Sequence, residues 1–201
     1  TATGAAYTAM GISASGYGKN TIDASAMNLN VTLNGGYRSD GNIDAVGIAA
    51  AYDGRYSGQN EINVTGDVEI TVRGDSNTSG VLAQGRSSTI ATNTITSDNF
   101  SLDVTNTGET AGSRATGVES SSRPSSGSSG GDNIINVGHD ATIDVTAQGQ
   151  AALAAGFYST GNAKQILTAG GDVDMSVTST AGKAYGVFGG ASITGDSVTM
   201  T

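Results

Sequence analysis

The stretch from Gly80 to Val104 reads GVLAQGRSSTIATNTITSDNFSLDV and contains the three elements that decide the fold. The alternation of apolar and polar residues, the β-branched side chains and the flanking Gly, Asn, Asp and Ser are typical of short β-strands. The stretch therefore predicts three strands separated by turns. The elements are a glycine with a bulky apolar residue, Gly80-Val81, then Asn93-Thr94-Ile95, then the alternating pair Leu102/Val104.

The same three elements return in the same order along the whole chain of 201 residues. The glycine element occurs at Gly11-Ile12, Gly47-Ile48, Gly80-Val81, Gly117-Val118, Gly156-Phe157 and Gly186-Val187, with spacings of 36, 33, 37, 39 and 30 residues. The second element begins at Asn20, Asn60, Asn93 and Asn133, and its last two copies keep the isoleucines Ile166 and Ile193. The third element is Leu29/Val31, Ile70/Val72, Leu102/Val104, Ile143/Val145, Met175/Val177 and Val198/Met200.

A repeat of this length, built from three short strands, predicts one all-β domain over residues 1–201, a parallel β-helix or β-solenoid of about six three-stranded coils. One coil cannot bury its apolar side alone, but stacked coils share a continuous core. Equivalent residues of successive coils then lie about 4.8 Å apart, like neighbours in a parallel sheet. The recurring Asn either forms a buried amide ladder or simply marks the turns; we expect the ladder.

Composition and charge exclude several classes of protein. The chain has 18 Asp and Glu against 9 Lys and Arg, a formal net charge of -9, which argues against a nucleic-acid partner. No apolar run is long enough for a membrane span, so we expect no membrane insertion by this segment. The chain has no cysteine, so disulfides and thiolate metal sites are excluded. We expect no cofactor, because no P-loop, His-Glu-x-x-His or Gly-x-Ser-x-Gly motif is present.

Residues 119–131 interrupt the repeat with the sequence ESSSRPSSGSSGG, which contains no apolar residue. Such composition predicts a flexible Ser/Gly-rich loop that protrudes from the solenoid. Because the repeat resumes at Asn133, we interpret the segment as a loop rather than a linker between domains.

The ordered Gly-Ile, Asn-x-Ile and Leu-x-Val-Thr elements resemble the passenger domains of bacterial autotransporters and related large β-helical adhesins. The resemblance covers the whole chain and lies in repeat style and composition. It implies a right-handed parallel β-helix that is exported and displayed at the bacterial cell surface, where it mediates adhesion or self-association. It also implies that the chain is a segment of a longer polypeptide, or a protomer whose ends are covered by neighbours.

Candidate binding residues follow from the strand alternation. The residue after each inward apolar side chain of the glycine element should face solvent. This column consists of Ser13, Ala49, Leu82, Glu119, Tyr158 and Phe188, of which Leu82, Tyr158 and Phe188 are the candidates for binding. Exposed aromatic residues are favoured at interaction surfaces. Burial under a loop, or a shifted register, is the competing interpretation. Tyr52 and Tyr56 fall in predicted loops and are further candidates for contacts with a partner.

The same alternation places Asp103 and Asp144 outward at equivalent positions of adjacent coils. Two carboxylates so close repel each other, and a divalent cation would relieve the repulsion. Two ligands are too few for tight binding, so we expect a solvated acidic edge, with the pair only a weak metal candidate. The single histidine, His139, lies between two predicted strands, and we expect it in a surface turn.

These observations favour a non-enzymatic extracellular adhesin that binds a host surface protein or glycan, or copies of itself, through the side of the solenoid. The first alternative is a protomer that stacks end to end into a surface fibre. The second is a β-helical glycan-active enzyme, which would need a cleft that gathers carboxylates and basic residues.

Overall fold

A computed structural model describes residues 2–4, 8–34, 45–50, 57–85, 91–108, 111–122, 131–160 and 163–201. These residues form β-strands joined by turns, and none of them is helical. Every strand pairing among them is parallel, and the strands form three sheets. The prediction of an all-β parallel solenoid with three strands in each repeat is confirmed.

Sheet A contains the third element of each repeat and has seven strands in sequence order, so each strand pairs with the equivalent strand of the next repeat. Its strands are β1 (Ala2–Gly4), β4 (Met27–Leu33), β7 (Val68–Gly74), β10 (Phe100–Asn106), β13 (Ala141–Ala147), β16 (Val173–Ser179) and β19 (Val198–Met200).

Sheet B contains the glycine element and has six strands. They are β2 (Ala9–Ala14), β5 (Ala45–Ala50), β8 (Thr78–Gly85), β11 (Arg114–Ser122), β14 (Leu153–Ser159) and β17 (Lys183–Phe188). Sheet C contains the Asn-x-Ile element and also has six strands. They are β3 (Lys19–Ala24), β6 (Gly58–Val64), β9 (Ala91–Ser97), β12 (Asp132–Val137), β15 (Gln165–Ala169) and β18 (Ser192–Thr194).

One apolar core runs along the inside of the three sheets, and the predicted pairs supply much of it. Ile70, Leu102 and Ile143 lie in register on successive strands of sheet A and are almost completely buried. In the last strand the register differs from the prediction. Met200 pairs with Met175, whereas Val198 pairs with Val173. Val198 and Met200 are 42% and 44% exposed.

The second element also needs one correction. Ile135 pairs with Leu167, which is fully buried, whereas Ile166 lies one position earlier and points to the other side of sheet C. The sequence pattern aligned Ile166 with the isoleucine of the earlier copies, and this alignment was wrong by one residue. The shift places Gln165 beside Asn133, at the position of the recurring asparagine.

The asparagines form the expected buried ladder. Asn20 donates from Nδ2 to Oδ1 of Asn60 at 2.8 Å, Asn60 donates to Asn93 at 2.8 Å, and Asn93 donates to Asn133 at 2.9 Å. Each amide also donates to a carbonyl oxygen of the preceding strand of sheet B. Gln165 makes the equivalent bond to the carbonyl of Tyr158 at 2.6 Å. From Asn60 to Asn133 the ladder is buried, and it satisfies backbone carbonyls at the corner between sheets B and C that are out of reach of water.

Sheet B has room only for glycine at its recurring glycine position, because a side chain there would clash with neighbouring atoms. A Cβ atom at Gly80 would lie 2.7 Å from the carbonyl oxygen of Gly117, and one at Gly117 would lie 2.6 Å from that of Gly156. Inward side chains approach as closely, with Leu102 Cδ1 2.5 Å from the same Cβ at Gly80. Glycine in a strand often marks such a close approach of another backbone. The element recurs because every coil meets the next one there.

The predicted loop at 119–131 begins later than expected. Strand β11 continues through Glu119–Ser122, and the side chains of Glu119 and Ser120 are fully buried. The loop start at residue 119 was wrong, because buried partners of Glu119 allow a charged residue to continue the strand. Gly131 is also buried and precedes β12. Residues 123–130 lie outside the described part of the chain.

Candidate functional site

The outer face of sheet B changes character along the solenoid. Val46, Ala49 and Leu82 form an apolar cluster separate from the main core, and all three are fully buried. At the other end of the same face, Tyr158 is half-buried and Phe188 is 38% exposed. In the column that follows the glycine element, side chains are therefore buried on β5, β8 and β11 and accessible on β14 and β17.

Three residues of the predicted solvent-facing column are thus not exposed. Ala49, Leu82 and Glu119 each have 0% exposure. The prediction of Leu82 as an exposed binding residue was wrong, and the competing interpretation, burial of this face, is correct for it. Parallel strands buried on both faces show near-continuous apolar runs, and β5, with the sequence AVGIAA, is such a run.

Three aromatic side chains form an accessible cluster on β14 and β17, which we call the aromatic patch: Tyr158, Tyr185 and Phe188. Tyr158 and Phe188 pair in register on adjacent strands, as the sequence predicted. Their rings stack with centroids 5.1 Å apart and an angle of 10° between planes. Tyr185 meets Phe188 edge-on, with centroids 5.2 Å apart and an angle of 62°. Sequence reasoning missed Tyr185, because strict alternation from Phe188 places it inward. The strand register skips Gly186 and pairs Tyr185 with Ala155, which lies outside the main core.

The aromatic patch packs against an ion pair between Arg114 and the buried Glu119. Arg114 Nη2 lies 2.6 Å from Glu119 Oε1, and Thr116 donates to Glu119 Oε2 at 2.9 Å. The guanidinium carbon of Arg114 lies 5.1 Å from the centroid of the Tyr158 ring, within range of a cation–π contact. The carboxylate of Glu119 raises the pKa of Arg114 above its ordinary value, and burial opposes this shift.

The resulting stack crosses three neighbouring strands, from Arg114 on β11 through Tyr158 on β14 to Phe188 on β17. Because Glu119 fixes the guanidinium and the guanidinium packs on Tyr158, the rings are held in place before any partner arrives. A preorganised aromatic surface of this kind loses little side-chain entropy on binding. Chemically, the patch offers apolar ring area and one polar phenol edge on each tyrosine, with no reacting group.

The outer face of sheet A is polar and accessible by contrast. Asp103 and Asp144 pair in register on β10 and β13, as predicted. Burial, and then the neighbouring carboxylate of Asp103, raises the pKa of Asp144 above its ordinary value. Among the described residues, no group of three or more His, Cys, Asp or Glu side chains could hold a metal ion.

A second polar ladder follows the corner between sheets C and A. Asn99 donates to Asp67 at 2.8 Å, the backbone N–H of Asp172 donates to Asp140 Oδ1 at 2.9 Å, and Ser197 donates to Asp172 Oδ1 at 2.8 Å. Sequence reasoning missed this ladder. Its signal is an Asp or Asn directly before the first residue of successive sheet A strands, as in Asp67-Val68 and Asp172-Val173.

Three further residues were singled out from the sequence: His139, Tyr52 and Tyr56. His139 lies in an exposed bend, as expected, with Nδ1 2.6 Å from Asp98 Oδ1. Tyr52 and Tyr56 lie outside the described residues.

Two shallow depressions lie on the outer side of sheet C. One of about 350 Å³ is lined by Asn63, Val64, Thr65, Thr96, Ser97 and Asp98. The other, of about 230 Å³, is lined by Lys19, Gln59, Asn60, Glu61, Thr92 and Thr94. Lys19 and Glu61 form an exposed ion pair there at 2.7 Å, and hydrogen bonding by Lys19 lowers the pKa of Glu61. Each depression presents one carboxylate.

Comparison of the chain with protein-family models, curated proteins and solved structures found no match. In the described part of the chain, no helix is long and apolar enough to cross a membrane. The functional assignment therefore depends on the surface described above.

Proposed function

We propose that this chain is a non-enzymatic adhesion module of the bacterial cell surface, a segment of a right-handed β-helix of about six coils like those of autotransporter passengers. It binds through the side of the solenoid, to copies of itself or to a protein or glycan of a host surface. The observation that carries the proposal is the aromatic patch, an accessible set of stacked rings on a chain whose other described faces are mainly polar.

The composition of the patch supports a binding role. Apart from Val198 and Met200, the most exposed large hydrophobic residues in the described part of the chain are Tyr17 and Phe188. Aromatic side chains are enriched at protein interfaces and dominate their energetic hot spots. The support from Arg114 and Glu119 indicates a surface kept in one geometry, as a recognition surface requires.

The form of the solenoid supports the same function. Stacked coils give long faces that present one residue column for each position of the repeat, so weak contacts are multiplied along the axis. Many weak contacts between surface-displayed copies give strong avidity without a deep pocket.

The proposal is tested by displaying the chain on the surface of bacterial cells that do not clump, and measuring their sedimentation. We expect clumping with the natural sequence and a large loss with Phe188→Ser, since Phe188 is the most exposed ring of the patch. Tyr17→Ser is the matched control, because Tyr17 is 74% exposed in a turn between β2 and β3, away from the patch.

Two results would contradict the proposal. One is purified protein that stays monomeric at high concentration, together with cells that neither clump nor bind host cells. The other is equal clumping by the Phe188→Ser variant and the natural sequence.

A further inference from the structure

We propose that self-association joins two different faces: the aromatic patch of one copy docks on the outer face of sheet A of a second copy. This inference rests on the proposed function and specifies its partner as another copy of this chain. The two faces differ in charge and in shape, and both differences favour their contact.

The patch lies beside positive charge. Lys183 begins β17 and is exposed, and Arg114 lies on the other side of Leu153 in the same register row. In a chain with 9 basic residues and a net charge of -9, two cations beside one apolar patch form a local exception. Because Arg114 is paired with Glu119, Lys183 supplies the excess positive charge.

The outer face of sheet A is acidic. Glu69, Asp103, Asp144 and Asp174 lie at outward positions of β7, β10, β13 and β16. The corner ladder adds Asp67, Asp140 and Asp172 along one border of the face. Among the described outward residues of sheet A, Arg73 is the only one with a positive charge. Like charges stacked along the face repel each other, so a cation from outside is attracted to it.

The shape of sheet A suits flat rings. Its outward positions carry many short side chains, including Ser101, Thr142, Thr146, Ser176 and Thr178. Short side chains on a parallel sheet leave a level surface on which ring edges and methyl groups can make contact. Contact between two patches would bring together two surfaces of the same charge, since Lys183 is exposed on each, and is less favourable than contact with an acidic face.

A contact between two unlike faces does not close on itself. In a pair, one copy keeps its patch unoccupied and the other keeps its sheet A face unoccupied, so a heterologous contact extends into open chains of molecules unless the rotation between copies closes a ring. This is the behaviour that clumping of cells requires.

The area available makes each contact weak. A seven-residue strand spans about 23 Å and six strands span about 24 Å, so one face offers about 550 Å² of projected area. Twice that area lies at the small, transient end of protein interfaces. Association is therefore expected at high protein concentration, and it should weaken with added salt, which screens charges beyond about 10 Å.

The test uses two variants that each disable one face. The patch variant is Lys183→Glu with Phe188→Ser, and the face variant is Asp144→Lys with Asp174→Lys. All four positions are at or near the surface, and circular dichroism with thermal unfolding checks the fold. Sedimentation velocity is measured for each variant alone, for their equimolar mixture and for the natural sequence.

We expect the natural chain to form large assemblies, each variant alone to stay monomeric, and the mixture to form one-to-one pairs. The pairing in the mixture also shows that both variants are folded, because each must supply an intact face. Assembly of the natural chain with no pairing in the mixture would overturn this inference and leave the proposed function standing. Continued assembly by either variant alone would also overturn it. Monomeric natural protein that binds polygalacturonate instead would overturn it in favour of an acidic glycan.

Discussion

The outer faces of sheets A and B are built from the same repeat but meet different surroundings. Sheet A shows the alternation typical of a sheet with one solvated side, for example in β16, where Val173, Met175 and Val177 are buried between exposed residues. All six residues of β5 in sheet B are buried, including Val46 and Ala49 on its outer side. The comparison teaches that strict period-two alternation describes sheet A, whereas in sheet B the recurring glycine interrupts it, so that Ala45 and Ile48, three residues apart, both face the core.

The largest expected difference between the two faces is in the free energy of unfolding that is lost when a side chain is shortened to alanine. Leu82→Ala removes a fully buried side chain from the outer face of sheet B and should lower the free energy of unfolding by about 2–5 kcal/mol. Ser101→Ala, on the exposed side of sheet A, should change it by less than about 0.5 kcal/mol. Urea denaturation measures both, and equal effects would contradict the assignment of the two faces.

The next largest effect on stability is expected from replacing the recurring glycine of sheet B. Gly117→Ala places a Cβ 2.6 Å from the carbonyl oxygen of Gly156, so the two coils must separate. We expect a loss of about 1–3 kcal/mol, typical of overpacking. Gly190→Ala is the matched control, because a Cβ there has no atom within 4 Å. A stabilised Gly117→Ala protein would show that the coils do not meet at this position.

The amide ladder behind sheet B should be sensitive to a single break. Asn93→Ala removes the donor to the Leu82 carbonyl and to Asn133 Oδ1, together with the acceptor for Asn60, and leaves these three groups buried. Each orphaned buried group costs about 1–3 kcal/mol. The control is Asn136→Ala, on the exposed side of β12, which should be nearly neutral. Equal thermal midpoints for the two variants would argue against the ladder.

The smallest change in stability is expected from the neighbouring carboxylates Asp103 and Asp144 on sheet A. Because the pKa of Asp144 is raised, its protonated form stabilises the fold, and that contribution disappears as the pH rises through the pKa of the folded protein. Asp144→Asn removes the repulsion from Asp103 and should stabilise the protein by about 0.2–1 kcal/mol at neutral pH. The gain should vanish as the pH falls through the pKa of Asp144, because the protonated carboxyl no longer repels Asp103. A gain that persists in acid would assign the effect to something other than charge.

Much of the fold was predictable because repetition multiplies a weak signal. One Gly-Ile pair says little, but six copies in fixed order identify stacked coils, and the registry of Asp103 with Asp144 and of Tyr158 with Phe188 follows from them. The errors fall where the local signal is weak. Gln165-Ile166-Leu167 offers two adjacent apolar residues, so alternation alone cannot choose the inward one.

The candidate site was only partly predictable, because its context comes from elsewhere in the chain. Nothing in the local sequence of Leu82 indicates that its outer side is covered. Similarly, Glu119 reads as a solvated charge until Arg114 and Thr116 are placed beside it. Long-range burial and ion pairing are properties of the assembled coils and are not visible in single strands.

The central claim is that equivalent residues of successive repeats are stacked one strand apart. The chain has no cysteine, so nitroxide labels can be placed at chosen pairs of introduced cysteines. Asn28 and Asp174 are separated by four strand spacings of sheet A, and Asn28 and Thr199 by five. At about 4.8 Å for each spacing, we predict separations of about 19 Å and about 24 Å between backbone positions. Label distances by pulsed electron paramagnetic resonance that increase by about one strand spacing would agree with the account. A shorter distance for the second pair, or two unrelated distances, would contradict it.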